Sequence, residues 1–416
     1  MNDNHNSPQA TPGVATGAKP ADSLSVQVEK YLSSKYHFRI NEINQKLEYK
    51  AFADADYQLI SDRQMNSFNR EMIHADIRSN VGVVRNTLMS DFTPVYNPIN
   101  DYFQSLSSWD GQTDPIVELA KTVSTTNDAL WHTCFKKWFV ALVGCAIKTD
   151  IINHTVIVFS GEQGLGKTTW ALDLLPKPLK EYCFSGTIDT GNKDTLINLS
   201  ETMLINLDEL ENLNKADLGA LKGLITKGSI RVRRPYGFNS ETMPRRASFI
   251  GSVNGKEFLN DATGNRRFLC FEVINIDYRH SIDMDLVYAQ ALHLLGSGFQ
   301  FWFNSSENDL INKNNEQFRN MSVEEELLKQ YFEPCSADDA DHLLSTTELL
   351  TWLGKKAKVS LTDAAKLKMG KALKALGFLR LKRQNKYVYA LKETVYVPEQ
   401  PMQGISTKNL MNNLYG

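Results

Sequence analysis

Apolar residues in the middle of the chain change from helical spacing to short continuous runs. In TNDALWHTCFKKWFVALVGCAIK, which begins at residue 126, apolar side chains recur every three or four residues, and this spacing predicts an amphipathic helix. The predicted buried face contains Leu130, Trp131, Cys134, Phe135, Trp138, Leu142 and Cys145. The runs VIVFS, YCFS, MLINL and ASFIGSV follow, separated by loops and helical segments. Such alternation predicts an α/β core over residues 126–320 with a largely parallel sheet.

The flanking segments have other patterns. Residues 25–125 predict a mixed α/β accessory region, in which HFRINEINQKLEY has the pattern of a hairpin and QMNSFNREMIHADIRSNVGVVRNTLMSD that of helices. Residues 342–397 predict two helices followed by two short strands, which is the order of a winged-helix module. An acidic linker is expected at 321–341, a disordered tail at 1–24 and a loose tail at 398–416.

Composition limits the partners that the whole molecule can attract. The 416 residues carry a formal charge of -2, so any contact with DNA must be local. Residues 343–392 hold 12 Lys and Arg against 2 acidic residues, a net charge of +10 that suits docking on duplex DNA. The competing interpretation is a solvated basic face. The candidate DNA contacts in this module are Lys368, Lys371, Arg380, Lys382, Arg383 and Lys386.

The cysteines and the chain start indicate a cytoplasmic setting. Five scattered cysteines without a CxxC pair argue against a disulfide framework and a zinc site. The first residues lack the pattern of a signal peptide, and no apolar run approaches the length of a membrane span. A cytoplasmic protein without a membrane partner is expected.

The segment GEQGLGKT matches the pattern of a phosphate-binding loop and lies between a predicted strand and a predicted helix. In such a loop the backbone N–H groups surround the phosphates of ATP, Lys167 reaches the β and γ oxygens, and the Thr168 hydroxyl binds Mg²⁺. The competing interpretation is a chance match in an ordinary glycine loop. The predicted nucleotide-binding residues are Gly161, Glu162, Gln163, Gly164, Leu165, Gly166, Lys167, Thr168 and Thr169.

Two carboxylates follow the strand MLINL, at the end where parallel strands carry active sites. Asp208 would hold Mg²⁺, and Glu209 would orient and deprotonate the attacking water. The competing interpretation is an acidic helix start. A nucleotide kinase would also use a phosphate loop, but the Asp-Glu pair favours hydrolysis.

Further candidates follow the strand ASFIGSV. Asn254 could sense the γ-phosphate, although asparagine is also an ordinary turn residue. Arg266 and Arg267 in TGNRRF could reach the nucleotide of a neighbouring subunit, which would require a ring; otherwise they are solvated surface residues.

These motifs together resemble the virulence-associated E family of phage and mobile-element proteins, whose core is similar to superfamily 3 helicases within the AAA+ group. The resemblance rests on GEQGLGKTT, LINLDEL, LKGLITKGSIRVRRPYG, FIGSVN with a following FLND, and TGNRRF, over roughly residues 90 to 275. It implies a hairpin between the carboxylate strand and Asn254 that grips single-stranded DNA in a channel. The implied DNA contacts are Arg231, Arg233, Arg234 and Tyr236, with Arg245 and Arg246 nearby. Any single arginine of this group could instead pair with a neighbouring subunit.

Motifs and resemblance together predict a replication ATPase of a mobile element or prophage, a ring and most simply a hexamer, that hydrolyses ATP with Mg²⁺ and unwinds DNA. The alternatives are an initiator or loader without processive unwinding, and a sensor that assembles on ATP in anti-phage defence. No apolar strand precedes Asp54 and Asp56, so primase chemistry is expected on a separate polypeptide, if priming is needed.

Overall fold

The computed structural model describes residues 22–189, 191–208, 210, 215–235, 237–255, 258–259, 265–357 and 361–394. The chain divides into two compact units. The first comprises residues 1–255 and 266–314, and the second comprises residues 256–265 and 315–416. The predicted tails at 1–24 and 398–416 lie outside the described residues except for residues 22–24, of which Ser23 caps the first helix and Leu24 begins it. Among the described residues, no helix combines the length and apolar character needed to cross a membrane.

The first unit opens with a small sheet packed on three helices. Its elements are α1 Leu24–Ser33, β1 Tyr36–Asn41, β2 Leu47–Ala51, β3 Gln58–Leu59, α2 Asp62–His74, α3 Val81–Leu88 and β4 Val95–Tyr96. The predicted hairpin and helices are confirmed, and the strand order is β3-β2-β1-β4. Alternate residues of β1 and β2 face the helices because side chains alternate along a strand. Phe38 packs there against Phe68 and Met72 in a separate hydrophobic cluster.

The α/β core follows. Its helices are α4 Pro98–Ser105, α5 Pro115–Lys121, α6 Asp128–Ile147, α7 Lys167–Asp173, α8 Lys193–Glu201, α9 Lys215–Thr226, α10 Met284–Gly296 and α11 Ser305–Asn315. Its strands are β5 Val123–Thr125, β6 Val156–Ser160, β7 Cys183–Gly186, β8 Leu204–Leu207, β9 Ser229–Val232, β10 Glu241–Pro244, β11 Ser248–Val253 and β12 Phe268–Ile276. The predicted mixed α/β class is confirmed. The hairpin that the resemblance implied between the carboxylate strand and Asn254 is present, with β10 pairing to β9 in the antiparallel direction.

Six strands form the central sheet in the order β5-β12-β6-β11-β8-β7. Adjacent strands from β12 to β7 are parallel, and β5 pairs with β12 in the antiparallel direction. The carboxyl ends of β6, β11 and β8 therefore lie on one edge. Among the parallel strands, β6 comes first along the chain, and it lies between β11 and β12, which come last. In open α/β sheets, ligands bind beside the carboxyl ends of the strands at a point where the strand order reverses.

Helix α6 is the centre of the core. Its first turn is capped by Asn127, whose side chain accepts a hydrogen bond from the backbone of Leu130. The pattern predicted one buried face, but almost every residue from Cys134 to Ala146 is buried, because the helix is enclosed by the sheet and by α5 and α10. Trp131 contacts the rings of Phe159 in β6 and Trp170 in α7. These aromatic contacts fix the strand and the helix on either side of the glycine loop.

The second unit contains the basic module. Its elements are α12 Val323–Tyr331, β13 Phe332–Pro334, β14 His342–Leu344, α13 Thr346–Gly354, α14 Asp363–Ala375, β15 Arg380–Arg383 and β16 Lys386–Glu393. The two helices and the closing hairpin occur in the predicted order, and β16 pairs with β13, β14 and β15. Ser345 and Glu348 form a capping box that begins α13. Gln384 and Asn385 turn the hairpin with positive φ values of 45° and 64°.

The acidic segment is a structured part of this unit rather than a connection. Leu327 and Leu328 of α12 lie in one hydrophobic cluster with Leu349, Met369 and other apolar residues of α13 and α14. The glutamates at 324–326 occupy the first turn of α12, where negative charge is favourable. Because these charges are concentrated at the helix start, composition alone suggested a linker although the following apolar residues are buried.

Candidate functional site

The glycine loop leaves the carboxyl end of β6 and leads directly into α7. Gly164 and Gly166 have φ values of +89° and +86°, a conformation that side chains with a Cβ rarely adopt. The loop therefore depends on glycine at these positions for its path. Consecutive backbone N–H groups in such a turn form a concave surface suited to anions.

Lys167 is the first residue of α7 and is only 7% exposed. Its ammonium donates hydrogen bonds to the carbonyl oxygens of Gly161 at 2.8 Å and Glu162 at 2.7 Å, so the loop wraps around this charge. Thr168 is half-buried, whereas Glu162, Gln163, Gly164 and Thr169 are exposed. Leu165 packs against the main core and anchors the loop.

Asp208 directly follows β8 and is held by two polar neighbours. The amide of Asn206 donates to its Oδ1 at 2.7 Å, and the hydroxyl of Ser185 donates to its Oδ2 at 3.0 Å. Asn206 is 1% exposed, so the carboxylate is oriented by a buried amide and remains partly open to solvent. Glu209, the predicted base, lies outside the described residues.

Asn254 follows β11, the strand between β6 and β8. It is exposed at the edge from which the glycine loop leaves. Neighbouring strands are about 4.8 Å apart, so the loop, Asn254 and Asp208 lie in a row across about 10 Å. The structure thus brings together three features of the predicted nucleotide site.

Arg266 and Arg267 lie at the other end of the parallel strands, opposite to the glycine loop. They precede β12, whose Phe268 pairs with Val156 at the start of β6, whereas Glu272 pairs with Ser160 beside the glycine loop. Arg267 precedes Glu272 by five residues, about 16 Å along an extended chain, so these arginines do not reach the glycine loop of their own chain.

The two arginines line a cavity of 620 Å³ together with His154 and Thr226. Burial, with the positive charges of Arg245 and Arg267, lowers the pKa of His154. The cavity therefore contains two arginines together with Asp150, on the face of the unit remote from the glycine loop.

Two of the predicted DNA contacts on the β9–β10 hairpin are exposed, and a third is bound within the protein. Arg231 and Arg233 are exposed, but the guanidinium of Arg234 is ion-paired with Glu201 and donates to the backbone oxygen of Ile43 at 3.1 Å. In this structure Arg234 therefore anchors the hairpin instead of presenting a free charge. Tyr236 lies outside the described residues.

Arg245 and Arg246 do not belong to the exposed basic group. Arg245 is 1% exposed and donates to the backbone oxygens of Ala247 at 2.7 Å and Asn153 at 2.8 Å. Burial lowers the pKa of both arginines. The sequence suggested surface charges because it does not show that nearby carbonyl groups can satisfy a buried guanidinium.

The basic residues of the second unit lie on its surface. Lys368 and Lys371 are exposed on α14, and Arg380, Lys382, Arg383 and Lys386 are exposed on the β15–β16 hairpin. The guanidinium of Arg380 lies over the ring of Tyr387, 3.7 Å from its centroid, which orders part of this surface.

Sequence reasoning missed two aromatic residues beside these surfaces. Phe238, in the connection between β9 and β10, is 97% exposed. Tyr278, two residues after β12, packs against Gly166 in the glycine loop. The position of Phe238 close to the arginines of the hairpin in the sequence could have indicated a role beside them. No local pattern indicated the contact of Tyr278 with the glycine loop.

Comparison with known proteins identifies the family. No curated protein matches the sequence. Two apo structures of the NrS-1 C-terminal region are similar over 89% of this chain and 99% of theirs, at 14% identity and TM-scores of 0.44 and 0.45. A third such structure covers 88% of this chain at 15% identity with a TM-score of 0.43. The model of the virulence-associated protein E-like domain matches residues 103–320, more than half of the chain, and the chain therefore belongs to this family.

Proposed function

We propose that this protein is an ATP-hydrolysing motor that moves on DNA and separates its strands during replication of a mobile element or prophage. The observation that carries the proposal is the convergence of the glycine loop, Asn254 and Asp208 at one edge of the sheet. The five parallel strands around β6, with the glycine loop at the carboxyl end of that strand, favour a P-loop core of the AAA+ type. Membership of the virulence-associated E family supports the mobile-element context.

The residues at this edge fit ATP with Mg²⁺. The loop offers backbone N–H groups and the ammonium of Lys167 to phosphate oxygens, and Thr168 and Asp208 offer hard oxygen ligands to the metal. When bound, Mg²⁺ would neutralise charge on the terminal phosphates. Asn206 and Ser185 hold the Asp208 carboxylate in one orientation. Glu209 follows Asp208 in sequence and is proposed to accept the proton of the attacking water, with Asn254 orienting the terminal phosphate.

The position of the arginines supports a ring. Because Arg266 and Arg267 lie about 16 Å from the glycine loop of their own chain, they can complete a nucleotide site only on another subunit. The cavity that they line then becomes one side of a subunit interface. A closed homo-oligomer, most simply a hexamer, satisfies this requirement for every subunit.

Two surfaces suit DNA. The β9–β10 hairpin combines exposed Arg231 and Arg233 with the exposed ring of Phe238, which suits phosphate contact and base stacking on a single strand. The exposed lysines and arginines of α14 and the β15–β16 hairpin suit a duplex, as a winged-helix module would. The motor and docking roles are thereby assigned to different parts of the chain.

The direct test is ATP hydrolysis with and without single-stranded DNA at low salt. We expect hydrolysis to rise several-fold with DNA and to fall at least 100-fold in Lys167→Ala, because the phosphate contacts of the ammonium are lost. Lys177→Ala, a change at an exposed lysine of the same unit, is the matched control and should keep wild-type activity. A rate of ATP hydrolysis that does not change when single-stranded DNA is added would contradict the motor proposal.

A further inference from the structure

Tyr278 lies directly against the backbone of the glycine loop. A Cβ placed on Gly166 would be 2.9 Å from Cγ and 3.0 Å from Cε1 of the Tyr278 ring, closer than van der Waals contact allows. The ring therefore occupies the space beside the residue that precedes Lys167. It is partly buried against the main core and partly exposed.

The position of Tyr278 is fixed by the fold. The backbone N–H of Asp277 donates to the oxygen of Thr122 at 2.8 Å. The hydroxyl of the same threonine accepts a hydrogen bond from the indole of Trp170 in α7 at 2.7 Å. Thr122 therefore connects α7, the helix that follows the glycine loop, to the segment that carries Tyr278. These contacts hold the ring beside the loop.

The ring lies on the side of the loop away from the carboxylates. Tyr278 follows β12, which borders β6 on one side, whereas Asn254 and Asp208 follow β11 and β8 on the other side. A nucleoside triphosphate with its terminal phosphates between Lys167 and Asp208 must direct its nucleoside away from Asp208. That direction leads toward Tyr278 and its neighbour Arg279.

We propose that Tyr278 forms the base subsite of the nucleotide site, with the purine base stacked on its ring. The guanidinium of Arg279 lies over the same ring, 5.4 Å from its centroid, and adds a cation to the subsite. Stacking on an aromatic ring suits a base because every base has a π face. This inference rests on the proposed ATPase function and adds the residue that binds the nucleoside.

The test separates contacts to the base from contacts to the phosphates. Binding of Mg²⁺ with a non-hydrolysable ATP analogue and of Mg²⁺ with inorganic tripolyphosphate is measured by calorimetry on the full chain. In Tyr278→Leu, which keeps apolar volume beside Gly166, we expect the Kd for the ATP analogue to rise about tenfold. The Kd for tripolyphosphate should stay within about twofold, because that ligand has no base to stack. Tyr278→Phe keeps the ring and should bind both ligands like the wild type.

Each other outcome is decisive. Equal weakening of both ligands in Tyr278→Leu would mean that the ring only supports the loop, and an unchanged Kd for the ATP analogue would mean that the base lies elsewhere; either overturns the base subsite. If the wild type binds both ligands and Lys167→Ala binds neither, the phosphate site stands whatever the result at Tyr278. If the wild type binds neither ligand, the ATPase proposal and the base subsite both fail.

Discussion

The guanidinium of Arg234 is ion-paired with the carboxylate of Glu201, and this pair joins the β9–β10 hairpin to the end of α8. Arg234 also donates to the backbone of Ile43 in the turn between β1 and β2, so the hairpin, the core and the N-terminal sheet meet at one side chain. Burial raises the pKa of Glu201, although Arg234 opposes this shift. The hairpin therefore has a fixed base from which its exposed connection extends.

Replacing Arg234 should destabilise the protein. Arg234→Ala leaves a partly buried carboxylate without its cation and leaves the Ile43 oxygen without a donor, so we expect a loss of about 2 kcal/mol in the free energy of unfolding. The adjacent Arg233 is exposed, and Arg233→Ala should change this free energy by less than about 0.5 kcal/mol. Urea unfolding of both variants measures the difference, and equal stabilities would disprove the anchoring role.

Phe238 should matter for DNA and not for folding. Because its ring is 97% exposed, Phe238→Ala should leave the free energy of unfolding within about 0.5 kcal/mol of wild type. If the ring stacks on bases, affinity for a single-stranded oligonucleotide should fall about tenfold, measured by fluorescence anisotropy.

An oligonucleotide with abasic sites keeps its phosphates and serves as the control for Phe238. Wild type and Phe238→Ala should bind it equally, since no base is present to stack. A loss of affinity that is the same on intact and abasic DNA would contradict base stacking. A loss of oligomers in Phe238→Ala, seen by mass photometry, would place this ring in a subunit contact instead.

Mixing two inactive variants tests whether the arginine acts across subunits. Lys167→Ala lacks a working phosphate loop, and a double variant with Arg266→Ala and Arg267→Ala lacks both candidate fingers, so each alone should be inactive. In an equal mixture, about a quarter of the interfaces combine an intact Lys167 with a neighbouring Arg267, and ATP hydrolysis should recover to about that fraction. No recovery from variants that assemble together would contradict a site shared between subunits.

The basic surface of the second unit should govern the salt dependence of duplex binding. Changing Lys368, Lys371 and Arg383 together to Gln removes three exposed charges without touching the cluster around Leu328. If all three contact phosphates, the slope of log K against log salt should become shallower by about 2 to 3, measured by anisotropy on a duplex. An unchanged slope would indicate a solvated face.

The strands and the glycine loop could be predicted from the sequence because each is a local pattern. The run VIVFS followed by GEQGLGKT predicted β6 and its loop. The apolar runs before Asp208 and Asn254 predicted β8 and β11. Their adjacency then follows from the rule that parallel strands present their carboxyl ends at one edge.

Features that depend on distant partners could not be predicted. Arg234 and Arg245 belong to a basic run in sequence, yet one is paired with Glu201 and the other is enclosed by carbonyl groups from Asn153 and Ala247. The contact between Tyr278 and Gly166 joins residues far apart in the chain. Helix α12 was missed because its acidic first turn obscured the apolar residues that follow.

Opening of a forked DNA duplex distinguishes a motor that separates strands from a loader that only hydrolyses ATP. We expect the wild type with ATP and Mg²⁺ to release the labelled strand of a fork at micromolar protein or below. Lys167→Ala, under the same conditions, should release none. A wild type that hydrolyses ATP in response to DNA but leaves the fork closed would contradict strand separation.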